Sequence, residues 1–261
     1  MEPELKTKSF KRLTDRFLYY DTGIEVTTLL IEKFRVMANS DANLAVALGG
    51  NNTDHPNLAK RQNVRKSRNV VGGHLRNMIF GGILKDIYED FVEYVKETFE
   101  EAAQKGIDPA RFLSNTKIDL TAKEVLTAGN WEETVKIISE KVFRKIENKK
   151  NTQLLIESAR DHLNLDVPDA LIHAAMPYLG ARHILVHRNG IPDDEYLVAY
   201  PTVRLLRGKI LVDSELITEA RTAIMELAKR INDQVIAQEL VRPSAMAGHS
   251  AVPAPDLEAA E

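Results

Sequence analysis

Apolar residues recur at spacings of three and four along two stretches of this chain, which is the pattern of helices with one buried face. Along residues 84–99 the positions between them are mostly charged, and the apolar positions are Leu84, Ile87, Tyr88, Phe91, Val92, Val95 and Phe99. Along residues 213–235 a similar series follows Asp213 and Ser214, which are candidate N-caps. Both stretches predict long amphipathic helices.

Weaker helical patterns fill much of the remaining chain. They cover residues 9–20, 25–37, 121–128, 131–146, 153–163 and 168–187, and Thr121 and Glu124 form a candidate capping box at the start of the third. Only residues 196–212 have the pattern of extended chain or a hairpin. Residues 49–57 have the composition of a loop, and the Ala/Pro-rich tail from Arg242 onward is expected not to pack.

These elements predict a mainly α fold. We expect a helical bundle with a small β-hairpin appendage after the helix at 168–187, and an N-terminal helical extension. The predicted division is an extension with a basic segment at residues 1–68, a helical domain at 69–240 that carries a helical insert at 105–150, and a flexible tail at 241–261.

Composition and charge narrow the classes of function. The chain has 261 residues, 44% of them hydrophobic, which is ample for a buried core. Its 35 basic and 38 acidic residues give a net charge of -3, so a phosphate-binding surface would have to be local. The absence of cysteine excludes disulfides, thiolate zinc sites and a cysteine nucleophile, and it favours a reducing cytoplasm. With no export signal and no apolar run of about 18 residues, we expect a soluble protein that neither crosses nor enters a membrane.

The segment GARHILVHRNGIPDDEY, residues 180–196, contains most of the candidate catalytic residues. Gly190 suits a helix C-cap and Pro192 prevents the helix from continuing. His187 is therefore expected in the last helical turn, where terminal carbonyls favour a cationic side chain. Arg182 and Arg188 add fixed positive charge, so the segment predicts a cationic pocket suited to phosphate.

Histidine and arginine without metal ligands suit internal transfer at an RNA phosphodiester. A base takes the proton of the 2′-hydroxyl, an acid protonates the departing 5′-oxygen, and a guanidinium stabilises the charge that gathers on the phosphoryl oxygens. DNA lacks the 2′-hydroxyl and would not react in this way.

The residues R-H-I-L-V-H, from Arg182 to His187, resemble the R-polar-x-x-x-H signature of the HEPN (higher eukaryotes and prokaryotes nucleotide-binding) ribonuclease superfamily. The order HRNGIPDDEY, then GKILVDSELITEA leading into the last long helix, is similar to HEPN domains akin to the bacterial RiboL-PSP group. Upstream, GGILKDIYEDFVEYV resembles the first core helix of the family. The resemblance covers residues 70–103 and 150–238.

The resemblance implies a helical bundle that dimerises, so that two motifs face each other in one composite, metal-independent endoribonuclease site with no cofactor. Products would carry 2′,3′-cyclic phosphate and 5′-hydroxyl ends, and family members commonly act as toxins or antiviral effectors. An antitoxin, or a sensor or ATPase, is therefore an expected partner. Arg182 and His187 correspond to the catalytic pair, and His183 to the variable polar position. Glu89 corresponds to an acidic residue that orients the arginine.

Other interpretations of the motif stay open. His187 could simply cap the helix, and Arg188 and Asn189 are either capping residues or substrate contacts. His183 and His187 are four residues apart, the spacing of a two-histidine metal site that Asp193 or Asp194 could complete. The zinc-protease pattern needs a glutamate after the first histidine, but Ile184 stands there, so no metal is expected. A HEPN-fold protein that binds RNA or nucleotide without cutting it, as a subunit of a larger defence complex, is the alternative function.

A basic run, NLAKRQNVRKSRNV at residues 57–70, contains no acidic residue. It is a candidate for contacts with an RNA backbone, although such runs are usually solvated helices or loops. Its cationic residues are Lys60, Arg61, Arg65, Lys66 and Arg68.

Overall fold

A computed structural model describes residues 5–113, 116–147 and 152–248 of the chain. The fold is mainly helical with a small two-stranded antiparallel hairpin, as the sequence predicts. In chain order the helices are α1 (Lys8–Val36), α2 (Leu44–Ala47), α3 (Pro56–Ala59), α4 (Arg65–Lys105), α5 (Pro109–Leu113), α6 (Ala122–Ala128), α7 (Trp131–Glu147), α8 (Thr152–Leu163), α9 (Asp169–His187), α10 (Asp194–Ala199) and α11 (Ser214–Ala237). Strands β1 (Leu205–Leu206) and β2 (Lys209–Ile210) lie between α10 and α11, and a 3-10 turn, Pro243–Ala245, follows α11.

The two long amphipathic helices are confirmed as parts of α4 and α11. The Asp213 carboxylate accepts a hydrogen bond from the Leu216 N–H at 3.0 Å, so it caps α11 as predicted. The capping box of α6 is also present, because the side chains of Thr121 and Glu124 each accept the backbone N–H of the other residue.

The N-terminal helix differs from the prediction of two separate helices at 9–20 and 25–37. α1 runs without interruption from Lys8 to Val36. The break expected near Gly23 does not occur, because the buried face of Phe17 continues at helical spacing through Ile24 and Ile31. Burial along one face therefore outweighs the weak helix propensity of a single glycine.

The segment expected to be extended, residues 196–212, is only partly so. Its first residues form α10, because the Asp193 side chain accepts the Tyr196 N–H at 2.9 Å and caps a short helix. The hairpin is limited to β1 and β2, with Leu205 paired to Ile210 and Leu206 to Lys209.

The start of the C-terminal tail packs, contrary to expectation. The Ala247 N–H donates to the Lys6 carbonyl at 2.8 Å, and Ala245 is buried. Arg242 forms ion pairs with Glu101 and Glu132. These contacts anchor residues 242–248, whereas the rest of the predicted flexible tail, from residue 249 onward, lies outside the described residues.

The described chain divides into two compact units. Unit 1 comprises residues 5–15, 89–176 and 222–248, and unit 2 comprises residues 16–88 and 177–221. The predicted domain boundary at 68/69 falls inside the first turn of α4, and the predicted insert at 105–150 lies within the stretch 89–176 of unit 1.

Unit 1 has an aromatic core. The Phe99 ring packs against Phe112 with centroids 4.5 Å apart, and the buried Tyr94 hydroxyl donates to the Ala228 carbonyl at 3.0 Å. The buried Asn232 side chain accepts hydrogen bonds from the N–H and the hydroxyl of Thr7, so the start of the chain is held against α11.

Unit 2 contains the whole 180–196 segment. Its core is formed by buried apolar side chains from α1, α4, α9, α10, β2 and α11, among them Phe17, Ile31, Phe80, Leu84, Ile87, Ile184, Tyr196, Ile210 and Ile217. No helix among the described residues of either unit has the length and the apolar content needed to span a membrane.

Candidate functional site

The C-terminal end of α9 is held by both its own cap and the hairpin. The helix ends at His187 as predicted, and Gly190 follows in the left-handed region with a φ of 79°. The N–H groups of Arg188 and Gly190 both donate to the Ile184 carbonyl, at 3.0 and 3.1 Å. The Gly190 carbonyl in turn accepts the Ile210 N–H at 2.9 Å, so β2 fixes the position of the helix end.

Tyr196 supports the same helix two to three turns before its end. Its hydroxyl donates to the Pro177 carbonyl at 2.6 Å, and its ring lies against Gly180, where an added Cβ would come within 3.1 Å of a ring carbon. A side chain at position 180 would therefore require the Tyr196 ring to shift by a few tenths of an ångström.

Arg182 lies over an aromatic ring. Its guanidinium carbon is 4.8 Å from the centroid of the Tyr88 ring, within the range of a cation–π interaction. The ring contact restricts where the guanidinium can lie, and a planar guanidinium is the group that best matches two phosphoryl oxygens.

A cavity of about 290 Å³ lies beside Arg182, within unit 2. Three cationic side chains line it, Lys85 from α4, Arg182 from α9 and Lys209 from β2, together with the amides of Asn77 and Asn189. Apolar Leu185, Val186, Ile210 and Val212, with Gly81 and Gly190, form the rest of the lining. None of these eleven residues is acidic, so the cavity has the charge and the donors for an anion such as a phosphate.

The two histidines of the motif form an exposed pair. His183 and His187 lie one turn apart with ring centroids separated by 4.7 Å. Partial desolvation lowers the pKa of His183, and the positive charges of His187, Arg188 and Arg182 lower it further, whereas Asp193 raises it. His183 is therefore neutral at neutral pH, and its ring can accept a hydrogen bond.

Arg182 and His187 point to different sides of α9. Five residues at 3.6 per turn separate them by about 140° around the helix axis. Arg182 shares its side with Leu185, Val186 and Asn189, which line the cavity, and neither histidine is among the cavity-lining residues of the described chain. One copy of the motif therefore presents a cationic cavity on one side and an imidazole pair on another.

Arg188 and Asn189 have defined local roles. Arg188 pairs with Asp193, and both side chains are substantially exposed. The Tyr196 N–H and then Arg188 hold the pKa of Asp193 below its usual range, so this carboxylate stays ionised. Asn189 adopts a left-handed backbone with a φ of 53° while its side chain lines the cavity.

The basic run is not uniformly available to a ligand. Lys60, Arg61, Arg65 and Lys66 are exposed. Arg68 is only 2% exposed, and its guanidinium donates to the Asn63 and Asn39 side chains at 2.6 and 3.1 Å. The prediction of Arg68 as an RNA-binding residue is corrected on this ground, since the side chain is buried and holds the loop before α4.

Glu89 is exposed on α4, directly after Tyr88 in the chain. Its predicted role in orienting Arg182 stays a prediction.

Lys85, Lys209 and Tyr88 were not predicted as site residues. The sequence pattern predicts Lys85 on the charged face of its helix and Lys209 in the hairpin. One signal was present, because Asn77, Gly81 and Lys85 recur at spacings of four and so share one face of α4.

Among the described residues, no three histidine, aspartate or glutamate side chains are grouped as candidate ligands of a metal ion. Comparisons with protein-family models, with curated proteins and with solved structures found no match. The resemblance to the HEPN superfamily therefore rests on the residues quoted above.

Proposed function

We propose that this protein is a metal-independent endoribonuclease of HEPN type, acting as a homodimer in the cytoplasm as a toxin or an effector of antiviral defence. The observation that carries the proposal is the end of α9, where a cavity with three cations and no acidic lining lies next to an exposed histidine pair. The cavity supplies the charge to hold a phosphodiester, and the imidazoles supply the groups that move protons.

The reaction is attack of the RNA 2′-oxygen on the adjacent phosphorus. The bond from O2′ to phosphorus forms and the bond from phosphorus to O5′ breaks, which leaves 2′,3′-cyclic phosphate and 5′-hydroxyl ends. His187 of the second copy takes the proton of the 2′-hydroxyl and, once protonated, gives that proton to O5′. Arg182 stabilises the negative charge that gathers on the phosphoryl oxygens.

Two copies are needed because of the geometry of one helix. Arg182 and His187 of the same chain lie about 140° apart around α9, so a single chain does not direct both toward one phosphorus. A second copy across a two-fold axis brings its own His187 to the Arg182 cavity of the first. Each of the two sites then holds Arg182 of one chain and His187 of the other.

The other predicted residues have supporting roles in this proposal. His183 stays neutral and supports His187 from one turn away on α9. Arg188 and Asn189 contact the substrate from the end of α9. The exposed cations of the basic run, Lys60, Arg61, Arg65 and Lys66, bind the RNA backbone at a distance from the reacting phosphate.

The test is RNA cleavage by the purified chain in EDTA. His187→Ala is expected to lower the rate by roughly 10²- to 10⁴-fold, the loss of one proton-transfer catalyst. Arg182→Lys keeps the charge but removes the planar fork and the Tyr88 stacking, so it too should lose most activity while RNA is still bound.

The matched control is Arg207→Lys, the same change in the exposed turn of the hairpin, which should leave the rate unchanged. Products are examined for cyclic phosphate ends. A confirmed nuclease activity that survives His187→Ala, or that EDTA abolishes, contradicts the proposal.

A second candidate function is a protein that binds RNA or nucleotide without cutting it, as a regulatory subunit with a sensor, ATPase or antitoxin partner. The observation that favours it is that the three cations line the cavity while both histidines lie outside it. Binding of RNA with no cleavage by the homodimer in EDTA or with added divalent metal would select this candidate.

A further inference from the structure

Two arginine side chains meet where α1 packs against α4 in unit 2. Gly72 of α4 is buried there, and a Cβ added to it would lie 3.7 Å from the Nε atom of Arg35 and 3.7 Å from the Ile31 side chain. Arg76 is one turn further along α4, and positions four apart on a helix have Cβ atoms about 5–6 Å apart. Arg35 therefore lies beside the turn of α4 that carries Arg76.

The antiparallel packing of α1 and α4 directs these two side chains toward each other. As α4 advances from Arg68 to Gly72, its contacts move back along the chain from Asn39 to Arg35. Each Cα–Cβ bond of a helix tilts toward the N-terminus of that helix, so in an antiparallel pair Arg35 and Arg76 lean toward each other. Each arginine also follows the contacting residue of its own helix by four positions, which places both on the same edge of the contact.

Each of these arginines has a buried donor without an acceptor. The Nε–H groups of Arg35 and Arg76 are buried, and no described residue accepts a hydrogen bond from either. Arg68, two turns before Arg76 and 2% exposed, adds a third positive charge, and its Nε–H is in the same condition. The rest of its guanidinium donates to the side chains of Asn63 and Asn39, which are neutral. Three guanidinium groups with buried, unsatisfied N–H donors favour a bound anion.

The edge of the α1–α4 contact has room for a ligand and is separate from the α9 cavity. A Cβ added to Gly73 would meet no neighbouring atom within 4 Å, and Gly73 shares a side of α4 with Arg76, three residues later. Gly72, at the contact, and Gly81, in the lining of the cavity, are nine residues apart, which places them on opposite sides of α4.

We propose that Arg35 and Arg76 form an anion site that binds a phosphate group at the α1–α4 contact. Planar guanidinium groups match pairs of phosphoryl oxygens, and two of them from adjacent helices supply donors for one tetrahedral group. The phosphate belongs either to an RNA backbone or to a free phosphorylated ligand. The inference does not depend on the proposed function, because it rests on other residues on another side of α4.

The first test compares melting temperatures in inorganic phosphate and in chloride at equal ionic strength. Arg76→Gln and Arg35→Gln should each gain about 2 °C less from phosphate than the wild-type chain does. The matched control is Arg207→Gln in the exposed turn of the hairpin, which should keep the full gain, including the general stabilisation that phosphate gives any folded protein. A purely structural role would lower the melting temperature equally in both salts, and that result overturns the proposal.

The second test separates RNA from a free ligand. Binding of a labelled RNA oligonucleotide by the full chain is measured at several salt concentrations, for Arg76→Gln and for the Arg207→Gln control. If an RNA phosphate occupies the site, Arg76→Gln should weaken binding and reduce the salt slope by about one. If the ligand is a free phosphate, RNA binding should stay at the wild-type level while the gain from phosphate is lost. Arg76→Gln with unchanged RNA binding and an unchanged gain from phosphate overturns the proposal.

The anion site and the α9 cavity fail in different ways. Because they lie on opposite sides of α4, the losses of phosphate stabilisation in Arg76→Gln and Arg182→Gln should add in the double variant. A loss in Arg182→Gln with none in Arg76→Gln contradicts the anion site and leaves the cavity in place. A loss in Arg76→Gln supports the anion site whether or not the chain cleaves RNA.

Discussion

The contact between Arg182 and Tyr88 restricts the conformations of a candidate catalytic side chain. The guanidinium lies 4.8 Å from the ring centroid, and this stacking limits the orientations of a long side chain before any phosphate is bound. Less conformational entropy is then lost on binding. The same reasoning explains why lysine, with no planar group to stack, is a poor replacement here although it has the same charge.

Glu100 gives a prediction at the residue scale. Partial burial raises its pKa, and Glu140 and Glu93 raise it further, whereas Lys96 and Lys136 lower it. The folded state therefore binds a proton more tightly than the unfolded chain. The stability that this provides is fully present below the ordinary pKa of glutamate and is lost as pH rises through the raised value. Glu100→Gln should thus raise the melting temperature at pH 7 to 8, with the gain vanishing below about pH 4.

Thermal unfolding followed across this pH range checks the prediction. Glu226→Gln, an exposed position on α11, is the control and should change the melting temperature little at any pH. A Glu100→Gln variant that is less stable than wild type at neutral pH would show that the ion pair with Lys96 outweighs the desolvation.

The sequence predicts those features of the candidate site that lie within one short segment of the chain. The positions of His187 and Gly190 follow from one segment, since a helix-ending glycine and proline act over a few residues. Lys85, Lys209 and Tyr88 come from other segments, and only tertiary packing places them next to Arg182. The burial of Arg68 is likewise invisible in a basic run, because it depends on acceptors at Asn39 and Asn63.

Among the elements, the long helices were predictable and their limits were not. Periodicity identifies the buried face of α1, but it does not show that the face continues past Gly23. Residues 196–200, YLVAY, have the apolar and aromatic composition of a strand, yet most of them lie in helix α10, because the Asp193 cap and the Tyr196–Pro177 hydrogen bond outweigh local propensity.

The start of α4 gives a prediction at the element scale. Arg68 and Arg65 are one turn apart, but Arg68 is buried while Arg65 is exposed. Arg68→Ala should lower the free energy of unfolding by about 1–3 kcal/mol, since the buried side chain of Asn63 loses a charged donor. Arg65→Ala should change it by less than about 0.5 kcal/mol and should instead weaken RNA binding, with the salt slope reduced by about one.

Chemical denaturation and RNA binding at several salt concentrations separate these two effects. Equal loss of stability in both variants would contradict the different roles assigned to the two arginines.

The whole molecule carries a net charge of -3, so its surface as a whole does not attract RNA. Under the proposed function, RNA binding depends on the exposed cations of the basic run and on the cavity at the end of α9. Each copy contributes one cavity and one histidine pair, and the proposed site brings the two together only in a dimer. In this proposal, a complete catalytic site therefore requires two chains.

The central claim is that Arg182 of one chain acts with His187 of the other. Mixing two inactive variants tests it most directly. Arg182→Ala and His187→Ala chains are unfolded together, refolded as a mixture and assayed for RNA cleavage in EDTA. If Arg182 of one chain acts with His187 of the other, random pairing gives half heterodimers with one intact pair each, and about one quarter of wild-type activity should return. Each variant refolded alone should stay inactive. A mixture as inactive as its components would contradict the composite site.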